Sequence, residues 1–217
     1  MAALSDLAAD IIADIPEIPI FIANRQILRA ARELCEESRC WRYDVTLNTV
    51  ADQATYNLAS LFTPEVNVQL VDVISMKPSD GSTPVKPITK GWLDINWADW
   101  RDDTALTATY YTLESNNTIR LVPTPSQTVS GAYTIRIAVK PRLSATTIDD
   151  VVYNKFYELL VSGAKANLFM VPRKPWTDLQ MAQYHRATFL GGFPAAVAEA
   201  QDDFQTGVAR KVKYGGL

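Results

Sequence analysis

His185 is the only histidine of the chain, so a Ser-His-Asp or Cys-His mechanism has to run through it. It stands between Tyr184 and Arg186 in a stretch that reads as helix, and no Gly-x-Ser-x-Gly elbow is present. The expectation is a structural histidine. Ser162-Gly-Ala-Lys165 has the Ser-x-x-Lys spacing that puts a serine and a lysine on one helix face in some acyl enzymes. Here it falls in mid-helix, and the companion Ser-Asp-Asn and Lys-Thr-Gly patterns are absent. Asp94, Asp99, Asp102 and Asp103 cluster with Trp92, Trp97 and Trp100. Aromatic rings beside carboxylates describe a sugar-binding cleft with an acid pair. They equally describe an acidic exposed loop whose tryptophans anchor it on the sheet or on a partner protein, because Trp is enriched at interface hot spots.

Cys35 and Cys40 lie five residues apart. At the end of one helix they would face different ways and not easily bridge. No Cys-x-x-Cys spacing supports a zinc site or a dithiol redox site, so two reduced thiols are expected. A histidine-based metal site needs more than one histidine. Nothing matches Gly-x-Gly-x-x-Gly or the Walker pattern. No catalytic residue, cofactor or metal is assigned.

The elements that hold these residues fall into three parts. Residues 1 to 40 read as helices. Leu4, Leu7, Ala8, Ile11, Ile12 and Ile15 form an apolar stripe that Pro16 and Pro19 end. Ile27, Leu28, Ala31, Leu34 and Cys35 form the stripe of a second helix, with Arg29–Glu33 and Arg32–Glu36 as four-residue ion pairs on its solvated side. Residues 41 to 142 change to period two, as Trp41, Tyr43, Val45 and Leu47 and then Tyr133, Ile135, Ile137 and Val139 show. Strands are expected at Thr55–Leu58, Val68–Lys77, Ala108–Leu113, Thr118–Val122 and Ala132–Lys140, with a turn at Ser115-Asn116-Asn117. Gly91 to Trp100 reads as one or two helical turns. Residues 143 to 206 return to helix. Val151, Val152, Phe156, Leu159, Leu160, Gly163, Ala164, Asn167 and Leu168 mark one stripe; Ala182, Phe189, Phe193, Ala196, Ala200 and Phe204 mark another. Thr147 and Thr177 are the expected N-caps. Gly191-Gly192 and Pro194 predict a kink or break.

The fold class expected is α+β. A helical bundle domain is built from residues 1–40 and 143–206. A β-domain, an antiparallel sandwich or barrel over 41–142, is inserted between them, and 207–217 is an extended basic tail. The tail carries Arg210, Lys211 and Lys213 and no acid. It reads as a frayed terminus, a phosphate contact or a docking segment.

Composition narrows the function classes. The chain has 217 residues, 47% hydrophobic and 21% charged, and a net charge of −3. Disorder and a disulfide scaffold do not fit those values, and a protein held to nucleic acid by its overall field would be strongly basic. The N-terminus carries Asp6, Asp10 and Asp14 and no basic start, so it is not a signal peptide. No apolar run approaches a membrane span, and the protein is expected to be cytoplasmic where it is made.

Three stretches carry a resemblance. Ile27-Leu28-Arg29-Ala30-Ala31-Arg32-Glu33-Leu34-Cys35 leads into Trp41. Leu121-Val122-Pro123-Thr124-Pro125 precedes the strand ending Val139-Lys140-Pro141. Pro172-Arg173-Lys174-Pro175-Trp176-Thr177 runs through Ala182, Tyr184 and Phe189. In this order the chain resembles the head-to-tail adaptor, or connector, proteins of tailed bacteriophages. The resemblance implies a structural virion protein, not an enzyme, in the neck between capsid portal and tail. Its partners would be the portal protein, a tail or neck protein, and copies of itself in a ring of about twelve through which genomic DNA passes. By position, the portal-binding segment would be Ala209, Arg210, Lys211, Val212, Lys213, Tyr214, Gly215, Gly216 and Leu217. Trp92, Trp97 and Trp100 are the candidate interface loop. The alternatives are a carbohydrate-binding protein using those tryptophans and a nucleic-acid-associated module using the tail.

Overall fold

The computed structural model describes residues 1–61, 67–115 and 117–202. The chain starts with β1 (Ala2–Ala3), a 3-10 turn at Leu4–Leu7, α1 (Ala8–Asp14) and α2 (Ile20–Ser38). Next come β2 (Arg42–Thr49), β3 (Thr55–Asn57), β4 (Val68–Pro78), β5 (Lys86–Pro87), α3 (Lys90–Asn96) and β6 (Thr104–Ala105). β7 (Tyr110–Ser115), β8 (Thr118–Val122), β9 (Thr124–Pro125), β10 (Val129–Pro141) and β11 (Thr147–Ile148) complete the strands. α4 (Asp150–Phe169), α5 (Leu179–Gly191) and α6 (Phe193–Gln201) follow.

Pro19 starts α2, since its fixed φ suits the edge of a helix but not its interior. The buried residues of α2 are Ala23, Gln26, Ile27, Leu28, Ala30, Ala31, Leu34, Cys35 and Ser38. At 3.6 residues per turn they cover roughly 200° of its circumference, about twice the stripe of a helix packed on one side. The helix is therefore covered from two directions. Arg32 donates to the Pro141 carbonyl and to Gln69 Oε1 on the sheet side. The next residue, Glu33, accepts two bonds from Arg186 of α5, at 2.9 and 2.5 Å. Glu36 pairs with Lys140 of β10 at 2.6 Å. Of the expected pairs within α2, Arg32, Glu33 and Glu36 are instead tied to neighbouring elements, while Arg29 donates to Gln26 in the same helix.

β10 is the middle strand of a three-stranded antiparallel sheet, order β2-β10-β4. Its Tyr133, Ile135, Ile137 and Val139 are all buried, as the alternation predicts. A second sheet has the order β3-β8-β7-β5. The Tyr133 hydroxyl accepts the Ala108 amide at 2.7 Å, just ahead of that sheet's β7. β7 and β8 pair antiparallel as expected, while Asn116 of the turn lies outside the described residues. β5 runs parallel to β7 and β6 parallel to β9.

These findings correct the expected fold class. The molecule is mixed α/β with several small open sheets, not a bundle of terminal helices carrying an antiparallel sandwich or barrel. One buried core takes in α1, α2, β2, β4, β10 and α4 together, from Leu7 and Ile27 through Ile137 to Leu160. The cause is the wide buried arc of α2, which meets β10 as well as α4. The expected tail falls outside the described residues, as does Phe204.

Two caps are also shifted. Asp149, not Thr147, caps α4 by accepting from the Val151 and Val152 amides. Asp178, not Thr177, caps α5 through the Gln180 and Met181 amides. Thr147 belongs to β11, and the Thr177 hydroxyl donates to the Val171 carbonyl. The predicted break at Gly191–Pro194 is present: α5 ends at Gly191 and α6 begins at Phe193.

Gly163 marks the closest approach of three helices. A Cβ there would stand 2.9 Å from the Ala30 Cβ of α2 and 2.9 Å from the Phe189 ring of α5. Neither a methyl on a neighbouring backbone nor a packed ring gives way easily. Gly163→Ala gains about 1 kcal/mol of helix propensity, but overpacking costs about 1–3 kcal/mol. The expected outcome of denaturant unfolding is a net loss of stability, larger for Gly163→Val.

Candidate protein-interface site

The tryptophan loop is built on α3. The Thr89 hydroxyl accepts the Trp92 amide at 3.3 Å and so starts the helix. Leu93, on the inward side, joins Trp100 and Val122 in a small second core, with Ile88, Trp97 and Tyr110 packed against it. Trp100 is only 2% exposed. Its Nε1 donates to Asp94 Oδ1 at 2.9 Å. The guanidinium carbons of Arg101 and Arg120 lie 4.2 and 5.1 Å from its ring centroid, in cation–π range. Arg101 also reaches Asp94, at 2.9 Å. The Trp100 hydrogen bond, and after it Arg101, holds the Asp94 carboxyl below the usual carboxylate range.

This arrangement separates the three tryptophans. Trp100 is an internal anchor. Trp97 sits edge-on to Tyr110 at 6.4 Å and is partly buried. Trp92 is 45% exposed, and its neighbour Ile95 is 84% exposed. Only Trp92 and Ile95 offer a substantial apolar surface here. A buried Trp100 cannot stack on a sugar ring, and the Asp94 carboxylate is held by Trp100 and Arg101. A cavity of about 530 Å³ beside the start of α3 is lined by Pro87, Ile88, Thr89, Lys90 and Tyr111, and by none of the tryptophans. The geometry favours anchoring and protein contact over sugar binding.

The other sequence candidates lie elsewhere. His185 stacks on Phe169 at 5.7 Å with the rings 14° apart. Its Nδ1 is buried without a hydrogen-bond partner, and burial, followed by Lys165, lowers its pKa. Lys165 is paired with Asp14 of α1, so the Ser-x-x-Lys lysine serves to tie α4 to α1. The tail residues Ala209 to Leu217 lie outside the described residues. Among the described residues, no group of three or more His, Cys, Asp or Glu could hold a metal. No described helix is long and apolar enough to cross a membrane.

A second set of exposed apolar side chains escaped the sequence reading. On α5, Ala182 and Phe189 face the core, yet Leu179, Met181, Tyr184 and Leu190 are exposed. Tyr184 is 63% exposed, and Phe21 at the start of α2 is 70% exposed. A surface helix normally carries polar residues opposite its buried stripe. The signal was in the sequence, as apolar residues off the α5 stripe, but periodicity alone counts them as noise.

Removing the inner and the outer tryptophan in turn separates the two roles. Trp100→Ala is expected to cost about 3–5 kcal/mol, as for other buried aromatics. Trp92→Ala is expected to change stability by less than about 1 kcal/mol, as exposed substitutions do. Chemical denaturation of the two variants checks both.

No curated protein matches the chain. The agreement with a family extends over residues 1–211 of the 217, and the chain accordingly belongs to the SU10 adaptor protein family, a family of phage structural adaptors.

Proposed function

We propose that this phage adaptor is a head-to-tail connector: copies of the chain close into a ring between the capsid portal and the tail or neck. The observation that carries the reading is the set of large apolar side chains α5 leaves exposed: Leu179 and Leu190 on one flank of the buried pair Ala182 and Phe189, Met181 on the other, and Tyr184 opposite. Large apolar side chains held in water around one helix are surface that association with neighbouring subunits would cover. A face on one subunit that packs against a different face of the next is a heterologous contact, and such contacts close into rings. The break between α5 and α6 lets that contact follow a curve.

The remaining assignments follow from this placement. Twelve subunits are the number expected for such a ring. Ala209 to Leu217, with Arg210, Lys211 and Lys213, is the portal-binding segment. The Trp92 and Ile95 surface contacts the tail or neck protein. A net charge of −3 per subunit suits a lumen that lets DNA pass without adhering.

Deleting residues 209–217 tests the portal assignment, and Tyr184→Asp tests the ring. The truncated chain should keep its circular dichroism spectrum and unfolding midpoint while losing co-sedimentation with purified portal. The Tyr184→Asp chain should fold normally and fail to form rings in electron micrographs. Equal portal binding by the full and truncated chains would refute the docking role, and normal rings from Tyr184→Asp would refute the α5 contact.

A further inference from the structure

Helix α2 ends in a left-handed cap. Arg39 has φ 51° and ψ 36°, and its amide returns to the Cys35 carbonyl at 3.0 Å. In a cap of this type the residue after the turn folds back onto the side chain four or five positions earlier. Here those residues are Cys40 and Cys35. The cap thereby turns the Cys40 side chain back toward that of Cys35, and both belong to the same buried core. Both are free thiols and both are buried, Cys40 to 1% exposure. The expectation that they face apart holds for a continuous helix and fails at this cap. A cavity of about 280 Å³ opens onto Cys40 and is also lined by Arg42, Tyr43, Asp44, Arg136 and Asp149. It is large enough to admit a molecule the size of water or peroxide.

We propose that Cys35 and Cys40 are a dithiol–disulfide modification site oxidised by hydroperoxides, of which hydrogen peroxide is the simplest. The assignment of roles follows from access: the cavity opens onto Cys40 and not onto Cys35, so Cys40 is the thiol that reacts with peroxide. Interaction with Cys35 also lowers the Cys40 pKa, while that of Cys35 is raised. The Cys40 sulfur attacks one peroxide oxygen. The O–O bond breaks, the leaving hydroxide takes a proton and departs as water, and Cys40 becomes a sulfenic acid. The Cys35 sulfur then attacks the Cys40 sulfur. The S–O bond breaks, the S–S bond forms, and the departing hydroxide takes the Cys35 proton to leave as a second water. The thiols lose two electrons in all, and the peroxide is reduced to two waters.

The bond would tie the last turn of α2 to the residues that enter β2, beside the Asp149 cap of α4. A virion component is made where thiols stay reduced and later stands in an oxidising exterior. Closing this link in the finished particle would stiffen the joint where α2, β2 and α4 meet.

The test uses the full chain, purified reduced, freed of reductant and exposed to hydrogen peroxide while folded. It is then denatured, alkylated with iodoacetamide and digested with trypsin. Cleavage after Arg39 separates the two cysteines, so a disulfide appears as peptide 33–39 joined to peptide 40–42. The expected product is that joined pair, about 2 Da lighter than the two thiol peptides and released by dithiothreitol. In Cys35→Ser, with no thiol to resolve it, the Cys40 sulfenic acid should persist and be trapped by dimedone. Alkylation of both cysteines after peroxide would overturn the proposal. So would sulfinic acid without a link, or a link that forms only when the chain is first unfolded in urea.

Discussion

Helix α2 has to bury roughly 200° of its surface, and no single neighbour covers that much of a helix. It therefore lies between two layers, β10 on one side and α4 with α6 on the other. Arg32 and Glu33 make the constraint visible: adjacent in sequence, they bind opposite layers. The absence of a side chain at Gly163 lets α4 come close enough to Ala30 and Phe189 to close the helical side. The N-terminal segment completes the wall. β1 pairs with β11, Tyr157 donates to Asp10 at 2.7 Å, and Lys165 pairs with Asp14.

With α2 enclosed, the surface that remains apolar becomes informative. α5 turns Ala182 and Phe189 to the core, yet Leu179 and Leu190 on its flank and Tyr184 on its far side stay exposed. The tryptophan loop divides in the same way, Trp100 inward and Trp92 outward. In both places one short element carries an anchor and an exposed apolar group. Such an element stays rigid in the free subunit and has little conformational freedom left to lose on association. That suits a family of structural adaptors better than a fold built around a reactive pocket.

What the sequence made legible follows from how many residues carry each signal. β10, at thirteen residues, shows its alternation over several periods. The break at Gly191–Pro194 rests on residues whose backbone preferences are strong. Two-residue strands such as β5 and β6 cannot display any period, and their parallel pairing depends on distant partners. The caps at Asp149 and Asp178 sit one or two residues from equally plausible threonines. The fold class was misread because Ala23, Ala30 and Ala31 look neutral in an apolar stripe, although their small size is what lets two layers approach α2. The meeting of Cys35 with Cys40 depends on Arg39 adopting positive φ, which no glycine or asparagine announces.

The shared core is the claim on which the rest stands, and native-state hydrogen exchange of the free chain tests it most directly. If α2 belongs to both layers, the slowest amides of α2, α4 and β10 should exchange through one opening of the same free energy. They should also respond together to added denaturant. Helical amides that open at a distinctly lower free energy than those of β10 would contradict the shared core and restore an independent helical unit.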